Sequence, residues 1–114
     1  MANRYRGEIP FELDGRTHCL RLTLGSLANL EDAMGVDGLR ELGERLQNGC
    51  LSAREICEIL AAGFAGAGEP VSAKALGQMI PASAFESAAT AAALLLAVTF
   101  GGGDSSYPSP PQAA

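Results

Sequence analysis

EIPFELDGRTHCLRLTL, residues 8–24, holds two alternating runs on either side of Asp14-Gly15. Ile9, Phe11 and Leu13 alternate with Glu8, Pro10 and Glu12; Leu20, Leu22 and Leu24 alternate with Cys19, Arg21 and Thr23. A period of two marks a strand with one buried face, and Asp-Gly accepts the positive φ angles of a two-residue type I′ turn. Such a turn sets Ile9 opposite Leu20, Phe11 opposite His18 and Leu13 opposite Arg16. The apolar side chains then share one face and Arg21 takes the other. Pro10 has no N–H for a ladder, so the first strand is expected at an edge. A lone hairpin is marginal in water, so its apolar face needs cover.

The period changes directly downstream. Ser26 is placed to cap a helix with Leu27, Leu30 and Met34 on one side, Asn29, Glu31 and Asp32 on the other, and Gly35 at its end. This helix is expected to lie across the apolar face of the hairpin. Residues 37–48 read as a second helix, with Leu39, Leu42 and Leu46 inward and a stop at Asn48-Gly49. A third opens on the capping box Ser52-Ala-Arg-Glu55 and carries Ile56, Ile59, Leu60 and Phe64 as a stripe. AGAGEP (65–70) reads as a loop. Ser72 starts a short helix to Met79, with Ala75, Leu76 and Met79 inward. The last helix begins near Pro81, has a second capping box at Ser83 and Glu86, and reaches Phe100. The fold class is therefore α+β: an N-terminal β-hairpin on a bundle of four to five short helices. Residues 1–6 form an N-terminal arm, 7–100 the single domain, and 101–114, GGGDSSYPSPPQAA, a tail of disordered composition.

Composition excludes several classes. With 114 residues there is room for one modest core, and 5% aromatic residues without tryptophan make it aliphatic. A net charge of −5 argues against a nucleic-acid or anionic-membrane binder, which needs a basic patch. No uninterrupted run of about 18 apolar residues is present, so no membrane span is expected. The start, MANRYRGEIP, lacks the apolar stretch of a signal peptide, which makes a cytoplasmic location the expectation. Cys19, Cys50 and Cys57 are odd in number and lack CxxC spacing, so neither a disulfide framework nor a zinc site is expected.

Catalytic constellations are scarce. Glu8, Glu12 and Asp14 near the turn, and the pair Glu55 and Glu58, read as solvated charge. His18, opposite Phe11, reads as a packed imidazole. GFAGAG (63–68) is no phosphate loop, because no Lys-Ser/Thr follows it and no strand precedes it. No nucleophile–base pair, metal set or cofactor motif emerges, and the chain is read as a non-enzyme. The last helix is distinctive: no charge occurs from Ser87 to Gly103. A surface helix keeps a polar face, so this one is central in the core, covered by a partner, or both. Leu94, Leu95, Val98 and Phe100, with Leu60 and Phe64 opposite, are the candidate partner-binding residues; the competing reading makes all six core.

The order and spacing of several motifs resemble a known family. These are Arg6-Gly7-Glu8, the turn Asp14-Gly15, LRLTLGSLANLE (20–31), Ser52-Ala-Arg-Glu55 and an alanine- and leucine-rich last helix ending at Phe100-Gly101. Over residues 4–101 the chain resembles the phage tail tube family of gene transfer agents and related prophages, which is grouped with phage tail assembly chaperones. The resemblance implies a role in building a phage-like tail. A chaperone of this kind coats the helical tape-measure protein until tube subunits polymerise around it, and would act in the bacterial cytoplasm. A tail tube component would stay in the finished virion tail. Tube subunits form rings from extended sheets, and a sequence with one hairpin and several helices suits the chaperone better, so that role is the expectation and the tube component the alternative. The implied partners are the tape-measure protein and other tail proteins, with a homo-oligomer left open.

Overall fold

The computed structural model describes residues 7–36, 38, 41–42, 44–45 and 51–100. Strands β1 (Glu8–Leu13) and β2 (Arg16–Arg21) form a two-stranded antiparallel sheet. The register is the expected one: Ile9 pairs with Leu20, Phe11 with His18 and Leu13 with Arg16. Asp14 at φ 55° and Gly15 at φ 74° supply the two left-handed residues of the turn. Ile9, Leu13 and Leu20 are buried, and Phe11 and Leu22 pack at the margin of the same core.

The described helices are α1 (Leu24–Met34), α2 (Ala53–Gly66), α3 (Ala73–Met79) and α4 (Phe85–Thr99), with a 3-10 turn at Ala82–Ala84. Residues 41, 42, 44 and 45 are also helical, and Leu42 joins the core. Arg45 pairs there with Glu55, which also completes the capping box of α2 with Ser52. Leu39, Leu46, Asn48-Gly49, Cys50, the arm 1–6 and the tail 101–114 lie outside the described residues. The stripe Ile56, Ile59, Leu60 and Phe64 is buried as expected, and Ser72 caps α3 by accepting from the Ala75 N–H.

Four local expectations are corrected. Helix α1 is capped by Thr23, not Ser26. The Thr23 hydroxyl accepts from the Ser26 N–H at 3.1 Å, and Ser26 Oγ accepts from the Thr23 N–H at 2.8 Å, so Ser26 is the far half of a capping box. Strand β2 therefore stops at Arg21, and Leu24 leaves the alternation to stand 87% exposed on the first turn of α1. Met79 is exposed although expected inward. Pro81 drives Ile80 into extended backbone, φ −93° and ψ 117°, which ends α3 at Met79 and leaves Leu76 as its buried anchor. The Ser83–Glu86 box does not form, because Ser83 sits inside the 3-10 turn and Ala84 becomes the residue before α4. Residues 65 and 66 belong to α2, not to the loop.

The larger correction concerns what covers the hairpin. Helix α2 packs against β2 and α4 against β1, while α1 packs on α2 through Leu27, Leu30 and Met34. The reason lies in two glycines on α2. A Cβ on Gly63 would fall 2.7 Å from Leu95 Cδ2 and 3.1 Å from Leu20 Cβ. A Cβ on Gly66 would overlap the carbonyl oxygen of Arg21. Only a helix bare at these positions can sit this close to the strand. Arg21 is correspondingly not on a free outer face, since its Nε donates to the Gly66 carbonyl at 3.3 Å.

This packing predicts unequal costs for two helical glycines. Gly66→Ala should destabilise the domain by about 1–3 kcal/mol, the usual range for overpacking. Gly25→Ala, whose Cβ would meet nothing nearer than Thr23 Oγ1 at 4.0 Å, should be neutral or slightly stabilising. Urea unfolding of both variants checks this, and equal costs would contradict the close approach.

Candidate functional site

Three of the six candidate partner-binding residues are core in this structure. Leu60, Phe64 and Leu95 are essentially inaccessible, Leu94 and Val98 are half-buried, and Phe100 is 36% exposed. Phe64 is held by rings from the hairpin. Phe11 meets it edge-on at 6.1 Å between centroids, and His18 at 5.0 Å. The imidazole Nδ1 of His18 hydrogen-bonds Glu69 Oε1 at 2.8 Å, tying β2 to the turn after α2. His18 is thus a packed and partnered residue, as its place opposite Phe11 implied.

Helix α4, which carries no charge after Glu86 in its first turn, is both a core element and a surface. Ala88, Ala92, Leu95 and Leu96 are buried, while Ser87, Thr90 and Ala97 face out and Phe85 is 45% exposed. The segment Ala82–Thr99 has the length and mean hydropathy, 1.5, that a membrane-crossing helix needs, a combination the core helix of a globular domain also reaches. Ser83, Glu86, Ser87 and Thr90 interrupt the apolar run without offsetting its alanines and leucines. In the fold the same segment supplies four side chains to the core.

A groove of about 710 Å³ lies between the first half of α2, α3 and the start of α4. Ile56 and Cys57 line it from α2, Gly77 from α3, and Ile80, Phe85 and Ala88 from the far wall. Arg54, Glu58 and Lys74 stand around it. A smaller cleft of about 260 Å³ lies beside the hairpin turn, with Glu12 and Asp14 at one end and Met79 exposed in its wall. Ile80, Pro81 and Ala88 line both, so the two concavities meet along that ridge. Cys57 is half-buried in the groove; desolvation, and then the nearby Glu58 carboxylate, push its thiol pKa up. Among the described residues, no three His, Cys, Asp or Glu side chains converge as a metal set would require.

Sequence reasoning did not reach this groove. It is assembled from three elements far apart in the chain, and Phe85 continues the buried stripe of Ala88, Ala92 and Leu95 at helical spacing. Periodicity alone therefore sends Phe85 to the core, whereas the first turn of α4 overhangs it. The one local sign was Gly77, a glycine inside a short helix.

A family model described as "Phage tail tube protein, GTA-gp10" matches residues 6–102. No curated protein and no solved structure matches the chain.

The half-buried thiol of Cys57 gives a pH prediction. A raised pKa leaves less thiolate at any given pH, so iodoacetamide alkylation of Cys57 should lag that of a free cysteine peptide and catch up only at more alkaline pH. Site-mapped mass spectrometry of the alkylated protein reads this, and superimposable pH profiles would contradict the desolvated setting of Cys57.

Proposed function

We propose that this chain, which belongs to the phage tail tube protein family described as GTA-gp10, is a non-enzymatic component of the tail tube of a phage-like particle. The observation that carries this reading is the family match over residues 6–102, which takes in every described element of the fold. Its partners on this reading are other tail proteins, and its place is the tail of the assembled particle. The family description supports this role better than the assembly-chaperone role that the sequence analysis put first.

The chaperone reading is retained on one structural observation. Among the described residues, the sheet is a two-stranded hairpin and the rest is helix. A ring built from extended sheets asks for more strand than this, whereas exposed apolar surface on a helical domain suits transient hold of another helix. On that reading the client is the tape-measure protein, bound in the cell before tube subunits replace the chaperone. Modest apolar contacts repeated along a client give avidity while each stays reversible.

Quantitative mass spectrometry of purified particles separates the two. The tube role predicts a fixed, stoichiometric number of copies per mature tail. Absence from particles, together with tailless heads when the gene is deleted, would overturn it in favour of the chaperone.

A further inference from the structure

We propose that Pro10 closes the outer edge of β1, so that a second copy of this chain cannot lengthen the hairpin's sheet by pairing a strand there. Neighbours that meet this edge do so through side chains, not through a shared ladder. The inference concerns the hairpin alone and holds on either the tube or the chaperone reading.

The turn fixes which way each backbone group of β1 points. Asp14 and Gly15 both have positive φ, and a two-residue turn of this kind closes on a hydrogen-bonded pair, Leu13 with Arg16. Hydrogen-bonded and non-hydrogen-bonded pairs then alternate along the ladder. Phe11 with His18 and Ile9 with Leu20 exchange bonds, while Glu8, Pro10 and Glu12 turn their backbone groups away from β2. A separate contact agrees with this phase. Arg21 stands opposite Glu8, so its carbonyl points out of the ladder, and that is the oxygen a Cβ on Gly66 of α2 would overlap. The two edges of the sheet are thus closed by different means. Helix α2 stands against the β2 edge at Arg21, whereas the middle of the outward set on β1 is a residue with no N–H to offer.

The β1 edge needs such a residue. Among the described residues the sheet ends at β1, Pro10 is exposed, and the cleft of about 260 Å³ runs past Phe11, Glu12 and Asp14. An uncovered strand edge is a template for another strand. Two-fold antiparallel pairing of β1 with a second copy would centre on position 10, where both central bonds call for the N–H that proline lacks. Two carbonyls would face each other there, and the two rings would occupy the donor positions. To each side, Glu8 would meet Glu12 of the second copy, and like charges directly opposite are destabilising. Shifting the register by two residues sets Pro10 against Glu8 or Glu12 of the other copy and still loses a bond at each crossing.

The experiment uses the full chain. In the wild type, backbone amide exchange should be fast at Glu12 and slow at Phe11 and Leu13, because only the latter two donate to β2. Pro10→Thr restores the missing donor with a residue suited to strands. Sedimentation equilibrium should then show dimers at least about tenfold tighter than any self-association of the wild type, with the Glu12 amide becoming protected as they form. Adding Glu12→Lys to Pro10→Thr sets lysine against Glu8 of the other copy. It should tighten the dimer about three- to tenfold further, and salt should weaken this dimer while strengthening the Pro10→Thr one. Glu12→Lys with Pro10 in place should stay monomeric. Pro10→Ala, which also restores the N–H, takes over should Pro10→Thr lose its native circular dichroism. Wild-type exchange at Glu12 as slow as at Phe11 and Leu13 would overturn the proposal. So would natively folded position-10 variants that stay monomeric with and without Glu12→Lys, or Glu12→Lys alone associating as tightly as the double variant.

Discussion

Helix α2 lies on strand β2 because two of its residues have no side chain. Gly63 gives room to Leu20 and Leu95, and Gly66 to the backbone carbonyl of Arg21. Everything else is arranged around that contact. With α2 seated on the hairpin, α4 takes the remaining apolar face against β1, and α1 packs on α2. The contact is reinforced at its end by polar links, Arg21 Nε to the Gly66 carbonyl and His18 to Glu69. The same helix reaches the groove at its other end through Ile56 and Cys57. One helix thus carries the core at its C-terminal half and a wall of the exposed surface at its N-terminal half.

Small side chains let this domain do two things with few residues. Aromatic residues are 5% of the chain, so interior volume is filled by leucine, isoleucine and alanine brought close together. Alanine-lined helices approach closely but cover little. Helix α4, without charge after Glu86, buries Ala88, Ala92, Leu95 and Leu96 and still leaves apolar surface at both of its ends. In a chain of net charge −5, such surface suits contact with other proteins rather than with polyanions. That fits membership of a phage tail tube protein family.

Membership of the tail tube family comes from a match over most of the chain. The division between a lasting tube component and a transient chaperone turns on chemistry that the fold leaves balanced. A single hairpin is little material for a ring of sheets, while an open apolar groove serves a permanent neighbour and a released client equally well.

The sequence by itself determined the hairpin and the helices. Alternation, Asp14-Gly15, the Ser52–Glu55 box and the Ile56–Phe64 stripe are local patterns whose physics acts within a few residues, and each element formed where its pattern lay. Even the misplaced cap at Ser26 was a local matter, decided by which of two neighbouring hydroxyl residues took the extended backbone. What the tertiary structure alone decided was who packs on whom. Gly66 read as part of the AGAGEP loop, and Gly63 carried no signal of its own within the helix, until β2 was placed against them, because closeness between elements 45 residues apart is not written in either one. The same holds for the candidate site. Leu60, Phe64 and Leu95 differ in no local property from residues that could face a partner, and the hairpin, arriving from the other end of the chain, buries them. Phe85 shares their helical phase and stays exposed, since the core ends one turn before it does.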